Sequence, residues 1–94
     1  MKIRLTKAAI RDLIEVEAYI ALDNPRAAFG VKSKIDRAIT LISERPGIGR
    51  PASGGASREW SIPGLPYLIP YRISGDVIDI IRIWHTSRQR PTEW

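Results

Sequence analysis

The sequence contains no cysteine, so disulfides, thiolate nucleophiles and cysteine-bearing zinc sites are excluded together. Aromatic residues make up only 7% of the chain, and they are not interleaved with basic residues as in RNA-binding modules. No apolar run approaches the roughly 20 residues that span a bilayer, and the opening "MKIRLTKAAIRD" has no apolar signal core. We therefore expect a cytoplasmic protein with no membrane partner.

The composition is that of an ordinary globular chain, with 44% hydrophobic and 27% charged residues among 94. This length suits one small domain spanning residues 1–94, with a modest core that packing or a partner must stabilise. We predict neither a metal site nor a cofactor.

The net charge of +5 is spread along the chain and is not gathered in a block or a tail. Every basic residue after Lys34 is an arginine, and guanidinium binds carboxylate or phosphate through two parallel hydrogen bonds. These arginines are Arg37, Arg45, Arg50, Arg58, Arg72, Arg82, Arg88 and Arg90. An acidic partner, a nucleic acid and a codon-biased genome are all compatible with this pattern.

Two amphipathic helices are predicted after a short strand in "MKIRL", which alternates apolar and basic residues. The first follows Thr6, a good N-cap, and the second runs from Pro25, with Asn24 as its N-cap, to about Arg45 before Pro46. Their apolar stripes are Ala9, Leu13, Val16 and Ile20, and Ala28, Val31, Ile35, Ile39 and Ile42. The short connection predicts an antiparallel helical hairpin.

The second half of the chain changes to the period of β-strands. Glycine and proline predict a loop over residues 46–57, and three strands follow in "REWSI", "PYLIPYRIS" and "DVIDIIRIWH". Gly75 and Asp76 fit a two-residue type II′ turn. Pro70 removes one hydrogen-bond donor, so the middle strand is expected to be irregular or unpaired there.

The turn fixes a register in which Ser74 faces Val77 and Arg72 faces Asp79, and we continue it without interruption to Tyr67 facing Trp84. It predicts a helix-facing side made of Tyr67, Ile69, Tyr71, Ile73, Ile78, Ile80, Arg82 and Trp84. The opposite side, called the outer face below, would carry Leu68, Pro70, Arg72, Asp79, Ile81, Ile83 and His85. We expect Arg82 to pair with a carboxylate of the first helix, Asp12 or Glu17.

The predicted outer face is apolar at its centre, and one helical hairpin cannot cover both sides of a sheet. An uncovered apolar patch on a small protein usually marks the site of a partner. The alternative is that the loop at 46–57 or the C-terminal segment folds across this face.

The predicted elements follow the order strand, helix, helix, three strands. The sequence also carries the motifs "GRP" after the second helix, "REWSIPGLPYLIPYRI" and, near the end, "HTSRQRP". This arrangement resembles the RelE/ParE superfamily of bacterial type II toxins, most closely its ParE branch, almost from end to end. The resemblance implies a RelE-like α+β fold of two layers, β-α-α-β-β-β, with the helical hairpin packed on one face of a small, mainly antiparallel sheet. It also implies a toxin that inhibits DNA gyrase by protein contact. The toxin would be neutralised by a ParD-like antitoxin, through which most contact with DNA would be made.

The sequence favours binding over catalysis. RelE-type relatives cut messenger RNA with several basic residues and a tyrosine, and the position of one of their strand arginines corresponds to Leu68 here. Arg88 matches a second arginine, but Trp94 stands roughly where those nucleases have a tyrosine and has no hydroxyl. A lone histidine such as His85 is more often structural than catalytic, so we assign no catalytic residue.

We predict that the antitoxin covers the outer face with apolar contacts surrounded by acid–arginine contacts. The predicted antitoxin-binding residues are Arg58, Leu68, Pro70, Arg72, Ile81, Ile83, His85 and Arg88. Two other functions stay open at this stage: a ribosome-dependent endoribonuclease of RelE type, and a basic nucleic-acid-binding module.

Overall fold

The computed structural model describes residues 1–52 and 55–94, so Ser53 and Gly54 of the predicted loop lie outside the described residues. Its elements are β1 (Lys2–Leu5), α1 (Lys7–Asp23), α2 (Pro25–Glu44), β2 (Arg50–Pro51), β3 (Ser57–Ser61), β4 (Tyr67–Ser74), β5 (Val77–Ile80) and β6 (Trp84–His85). The helical hairpin packs on one face of a mixed sheet, which confirms the predicted α+β fold. The short strands β2 and β6 are additions to the predicted element order.

Both helices begin at the predicted caps. The Thr6 hydroxyl accepts the Ala9 N–H at 3.0 Å, and the Asn24 side chain accepts the N–H groups of Arg26 and Ala27. Pro25 occupies the first turn of α2, where its missing N–H costs nothing. Because Asn24 also ends α1, a single residue separates the helices, and they fold back on each other.

The strands are ordered β1-β5-β4-β3-β2, and β6 pairs with the start of β4. β1 runs parallel to β5, and every other pair is antiparallel. The core lies between the sheet and the helices. Its fully buried members include Ala9, Ile35, Ile42, Ile69, Tyr71, Ile78 and Ile80. Burying one such aliphatic side chain contributes about 1.5–3 kcal/mol.

The predicted turn between β4 and β5 is confirmed. A type II′ turn requires a positive φ at its first central residue and a negative φ at its second. Gly75 has a φ of +63°, and Asp76 has a negative φ, since no non-glycine residue in the described part of the chain has a positive one. Ser74 pairs with Val77, and the predicted register holds as far as Tyr71 and Ile80.

Beyond that point the predicted register is wrong by one residue. Ile81 still donates its N–H to the Pro70 carbonyl, but Leu68 pairs with Trp84 and Tyr67 pairs with His85. Two residues, Arg82 and Ile83, therefore stand opposite the single residue Ile69, which is a β-bulge. The bulge separates β5 from β6.

The side chain of Asp12 on α1 holds this bulge in place. Its carboxylate accepts Arg82 Nε at 2.7 Å, Arg82 NH2 at 2.9 Å and the backbone N–H of Ile83 at 3.0 Å. The pairing of Arg82 with a first-helix carboxylate is confirmed, with Asp12 as the partner. The contact with the Ile83 N–H also satisfies a buried backbone donor that the bulge removes from the ladder.

The loop after α2 is anchored by the Tyr71 hydroxyl, which donates to the Pro46 carbonyl at 2.7 Å and accepts the Gly49 N–H at 2.9 Å. Arg58 adds a hydrogen bond of 2.7 Å to the Gly49 carbonyl. Part of the predicted loop is ordered as β2, which pairs with Arg58 and Glu59 of β3.

Candidate functional site

The bulge changes which residues lie on the outer face. Trp84 moves to the outer face beside Leu68, whereas Ile83 and His85 move to the helix side. The predictions of Ile83 and His85 as outer-face residues, and of Trp84 as helix-facing, are therefore wrong. Their common cause is the extra residue, because one inserted position reverses the direction of each following side chain.

The C-terminal segment, residues 86–94 and called the tail below, folds across the outer face. Trp94 Nε1 donates to Glu59 at 2.7 Å, and the Trp94 ring meets the Trp84 ring edge-on with centroids 5.3 Å apart. The Arg88 guanidinium lies over the Trp84 ring, 4.3 Å from its centroid. The uncovered apolar patch is thus not observed, and the alternative of a covering C-terminal segment is correct.

Glu59 is the buried anchor of this arrangement, with only 3% of its surface exposed. It pairs with Arg90, lies 3.5 Å from Arg50 Nε and accepts the Trp94 indole N–H. A buried carboxylate requires such partners, because an unpaired one loses its hydration without compensation. Sequence reasoning missed this role of Glu59, and no local pattern around it could have indicated the contact with residues 90 and 94.

The eight predicted antitoxin-binding residues differ in accessibility. Arg72 and Arg88 are exposed, and Arg58, Ile81 and His85 are half-buried. Leu68, Pro70 and Ile83 are buried, Leu68 beside tail residues and Ile83 in the core. A partner can therefore contact five of the eight directly.

His85 lines a cleft of about 250 Å³ between α1 and the strands β4 and β6. Its Nδ1 accepts the Ser87 N–H at 3.1 Å and lies 2.6 Å from Ser87 Oγ, and its ring meets Tyr67 edge-on. Burial raises the pKa of Tyr67, so this phenol stays protonated at neutral pH. Arg88, Glu15, Asp12 and Tyr19 also line the cleft.

The cleft brings a histidine, an arginine and a carboxylate together, which are group types that phosphodiester cleavage uses. However, Nδ1 of His85 is occupied by Ser87, and two other arginines, Arg82 and Arg90, are tied to carboxylates. Only one His85 nitrogen is left for proton transfer. No group of three or more potential metal ligands occurs within residues 1–52 and 55–94.

Large apolar side chains are exposed on the outer surface of the helical hairpin, called the hairpin surface below. The exposed fractions are 48% for Ile10, 62% for Ile14, 73% for Tyr19, 85% for Leu22 and 73% for Phe29. Ile10 and Ile14 are four residues apart on α1 and lie side by side, whereas Leu22 is two further turns along the helix. Neither helix of the described chain is apolar enough over sufficient length to cross a membrane. Exposed apolar side chains that lie side by side are typical of surfaces that contact another macromolecule.

These features define a small α+β protein with a helical hairpin packed on one face of a short mixed sheet. Residues 3–90 match the family described as the ParE toxin of type II toxin-antitoxin systems, parDE. The chain belongs to this family and is a toxin of the ParDE type.

Relatives with similar sequences and structures agree with this assignment. The Sinorhizobium fredii protein Y4kP, which carries the name of a toxin, is 42% identical over 90 residues, covering 96% of this chain and 93% of that protein. Toxin RelE1 of Caulobacter vibrioides is 34% identical over 84 residues, covering 87% and 89%. A solved chain from the chromosomal ParDE system of P. aeruginosa has a TM-score of 0.79 at 26% identity, covering 90% of this chain and 95% of that one.

Proposed function

We propose that this toxin acts in the cytoplasm by binding DNA gyrase through protein contact, without catalysis of its own. The observation that carries the proposal is the hairpin surface, where five large apolar side chains are between 48% and 85% exposed. Exposed apolar side chains are costly in water and gain free energy when a partner covers them.

We also propose that a ParD-like antitoxin neutralises the toxin by covering the exposed part of the outer face. Arg72 and Arg88 are exposed there, and neither forms an ion pair with a carboxylate in the described part of the chain. An acidic antitoxin segment would pair with them and gain on-rate from the net charge of +5. Contact with DNA would come mainly from the antitoxin.

The target is tested by measuring how strongly the wild-type toxin and the double variant Ile14→Glu, Leu22→Glu inhibit supercoiling by gyrase. We expect inhibition of supercoiling to fall at least about tenfold, because two carboxylates would have to be buried at the interface. Arg26→Glu is the matched control, since it changes the net charge equally at an exposed position near the start of α2. Full inhibition by the double variant, or no inhibition by the wild-type protein, would exclude gyrase contact through this surface.

The endoribonuclease remains the second candidate because His85, Arg88 and Glu15 share one cleft. We expect His85→Gln to keep its toxicity, since glutamine can still accept the Ser87 N–H but cannot transfer protons at neutral pH. The measurement is growth inhibition together with an mRNA cleavage assay on ribosomes. Loss of both toxicity and cleavage in a stably folded His85→Gln protein would favour the nuclease.

A further inference from the structure

A pocket of about 230 Å³, called the hairpin pocket below, lies between α1 and α2 of the helical hairpin. It is lined by Glu17 and Ala21 of α1 and by Ala28, Phe29 and Lys32 of α2. The two alanines leave a gap between the helices, because a methyl group fills less space than the side chains around it. Phe29 stands beside this gap with 73% of its surface exposed. The same small area thus carries a depression and a protruding apolar side chain.

The rim of the hairpin pocket carries one charge of each sign. Glu17 forms no ion pair in the described part of the chain, and Lys32 pairs with Asp36, one turn further along α2, at 3.1 Å. The Lys32 and Asp36 side chains are 51% and 55% exposed, so this pair contributes little and Lys32 can turn to another carboxylate. The pocket therefore has an anionic side on α1 and a cationic side on α2.

A surface with these features is complementary to a copy of itself. In a twofold dimer every contact occurs twice, because one residue meets a second residue of the other copy and the reverse contact follows by symmetry. A twofold axis beside the pocket would place Phe29 of each copy in the alanine-lined gap of the other. It would also set Glu17 of each copy against Lys32 of the other. A second copy of this chain thus supplies both the apolar side chain and the two charges that fit the pocket.

The net charge of +5 does not oppose association at this place. Between Arg11 and Arg26 the sequence has no basic residue, and it has four acidic ones: Asp12, Glu15, Glu17 and Asp23. Charges on other parts of the surface are screened beyond a distance of about 10 Å at roughly 0.1 M ionic strength. Two copies of this basic chain therefore meet little repulsion at the pocket.

We propose that two copies of this chain associate through the hairpin pocket into a twofold dimer, with each Phe29 inserted into the gap beside Ala21 and Ala28 of the other copy. Phe29 is the main anchor, because aromatic side chains that fill a pocket dominate the energy of an interface. The dimer goes beyond the proposed function and does not depend on it. Because Phe29 also belongs to the hairpin surface, the dimer would withhold part of the proposed gyrase contact, and the monomer would be the form that reaches gyrase.

The first experiment measures self-association of the purified toxin by analytical ultracentrifugation. The wild-type protein should show a monomer–dimer equilibrium at concentrations up to about 200 µM. Phe29→Ala should raise the dimer Kd at least about tenfold, because the side chain that enters the gap is lost twice. Tyr19→Ala is the matched control, since Tyr19 is also 73% exposed but does not line the pocket, and it should change Kd less than about threefold. Equal effects of the two substitutions would overturn the inference.

A second experiment uses charge reversal to distinguish this dimer from any other. Glu17→Lys and Lys32→Glu should each raise the dimer Kd at least about tenfold, because two attractive contacts become repulsive. An equimolar mixture of the two variants should associate about as tightly as the wild-type protein, since both contacts again join opposite charges. The control pair is Glu15→Lys and Lys34→Glu, at exposed positions outside the pocket, and should change Kd less than about threefold, alone or mixed.

The outcomes separate the dimer from the proposed function. None of these measurements contains gyrase, so a wild-type toxin that stays monomeric would overturn the dimer and leave the gyrase proposal standing. A dimer whose Kd is unchanged by the single reversals, or is not recovered in their mixture, would overturn the assignment to the hairpin pocket. Thermal unfolding of each variant verifies that it is folded. A toxin that forms this dimer but never inhibits gyrase would sustain the inference and overturn the proposed function.

Discussion

Asp12 shows how one side chain determines the shape of a distant strand. It lies on α1 with 6% of its surface exposed, and its carboxylate receives three hydrogen bonds from Arg82 and Ile83. A bulge leaves backbone groups without partners in the ladder, and the carboxylate supplies the missing acceptor. The direction of Trp84 and His85 therefore depends on a residue about 70 positions earlier.

Asp12→Ala should destabilise the protein more than Arg82→Met. The alanine removes both the ion pair and the acceptor of the Ile83 N–H, at a cost of about 2–4 kcal/mol. Methionine at position 82 keeps the contact between Asp12 and Ile83 and fills much of the arginine's volume. Urea denaturation gives the comparison, and Asp12→Asn, which keeps an acceptor oxygen, is the control. An equal or larger loss for Arg82→Met would refute the structural role given to the Ile83 contact.

Among the described glycines of the loop after α2, Gly49 is the one whose place the surrounding atoms deny to a side chain. A Cβ at this position would lie 2.6 Å from the Tyr71 hydroxyl oxygen and 2.9 Å from the Glu59 carbonyl oxygen. Gly49→Ala should therefore cost about 1–3 kcal/mol in chemical denaturation. Gly47→Ala is the matched control, because nothing lies within 4 Å of its Cβ position. Similar effects of the two changes would mean that the loop accommodates the methyl group by moving.

Among the elements, β1 is held at the edge of the sheet by its parallel pairing with β5 and by one ion pair. Arg4 Nε lies 2.6 Å from Asp79, and hydrogen bonds from Arg4 hold the pKa of Asp79 below its ordinary value of 3.8. Arg72 stands opposite Asp79 in the strand pairing, as predicted. The Asp79 carboxylate, however, accepts its hydrogen bonds from Arg4 on β1.

The contribution of this pair should depend on pH in one direction. Because the pKa of Asp79 is lower in the folded state, its stabilisation is fully present above pH 3.8 and is lost as the pH falls below that value. Asp79→Asn should thus lower the denaturation midpoint at pH 7 by a small amount, and the difference from wild type should shrink in acid. A difference that stays constant down to pH 2 would show that the charge of Asp79 is not what matters.

The predictability of each element follows from the range of the interactions that form it. Thr6, Asn24 and Gly75 act on backbone groups within three residues, so their caps and turn were correct from the sequence. Pro70 indicated an irregularity in the middle strand, but the position of the bulge could not be derived, because Asp12 on α1 holds it across the fold. The prediction of which residues lie on the outer face was wrong for the same reason, because the bulge reverses the direction of the side chains that follow it.

At the scale of the whole molecule, the tail lies on the outer face of the sheet, outside the two layers of helices and sheet. Its anchors are Trp94 on Glu59, Arg90 on Glu59 and the ring contact with Trp84. Ile83, in contrast, belongs to the core, so Ile83→Asp would unfold the protein and cannot test an outer-face interface. Exposed Arg72 and Arg88 are better positions for charge reversal.

Trp94→Ala should release the tail without unfolding the core. Trypsin should then cut after Arg88 faster than in the wild-type protein, because cleavage requires a backbone segment that can leave the surface. Arg90 is not a cleavage site, since proline follows it. Cleavage after Arg26, at the start of α2, is the internal control and should keep its rate. If both sites become faster together, Trp94 supports the whole fold and not the tail alone.

The parallel pairing of β1 with β5 also has a consequence for biosynthesis. Lys2 lies beside Val77, so the first strand cannot find its neighbour until residues 77–80 have left the ribosome. Contacts between residues so far apart in sequence form late, because the entropy of closing a long loop is lost before the strand pairing stabilises the chain. The helical hairpin can form during translation, but the sheet that supports it cannot. A nascent toxin is therefore without its finished surfaces for most of its synthesis, and the outer face is complete only after this late step.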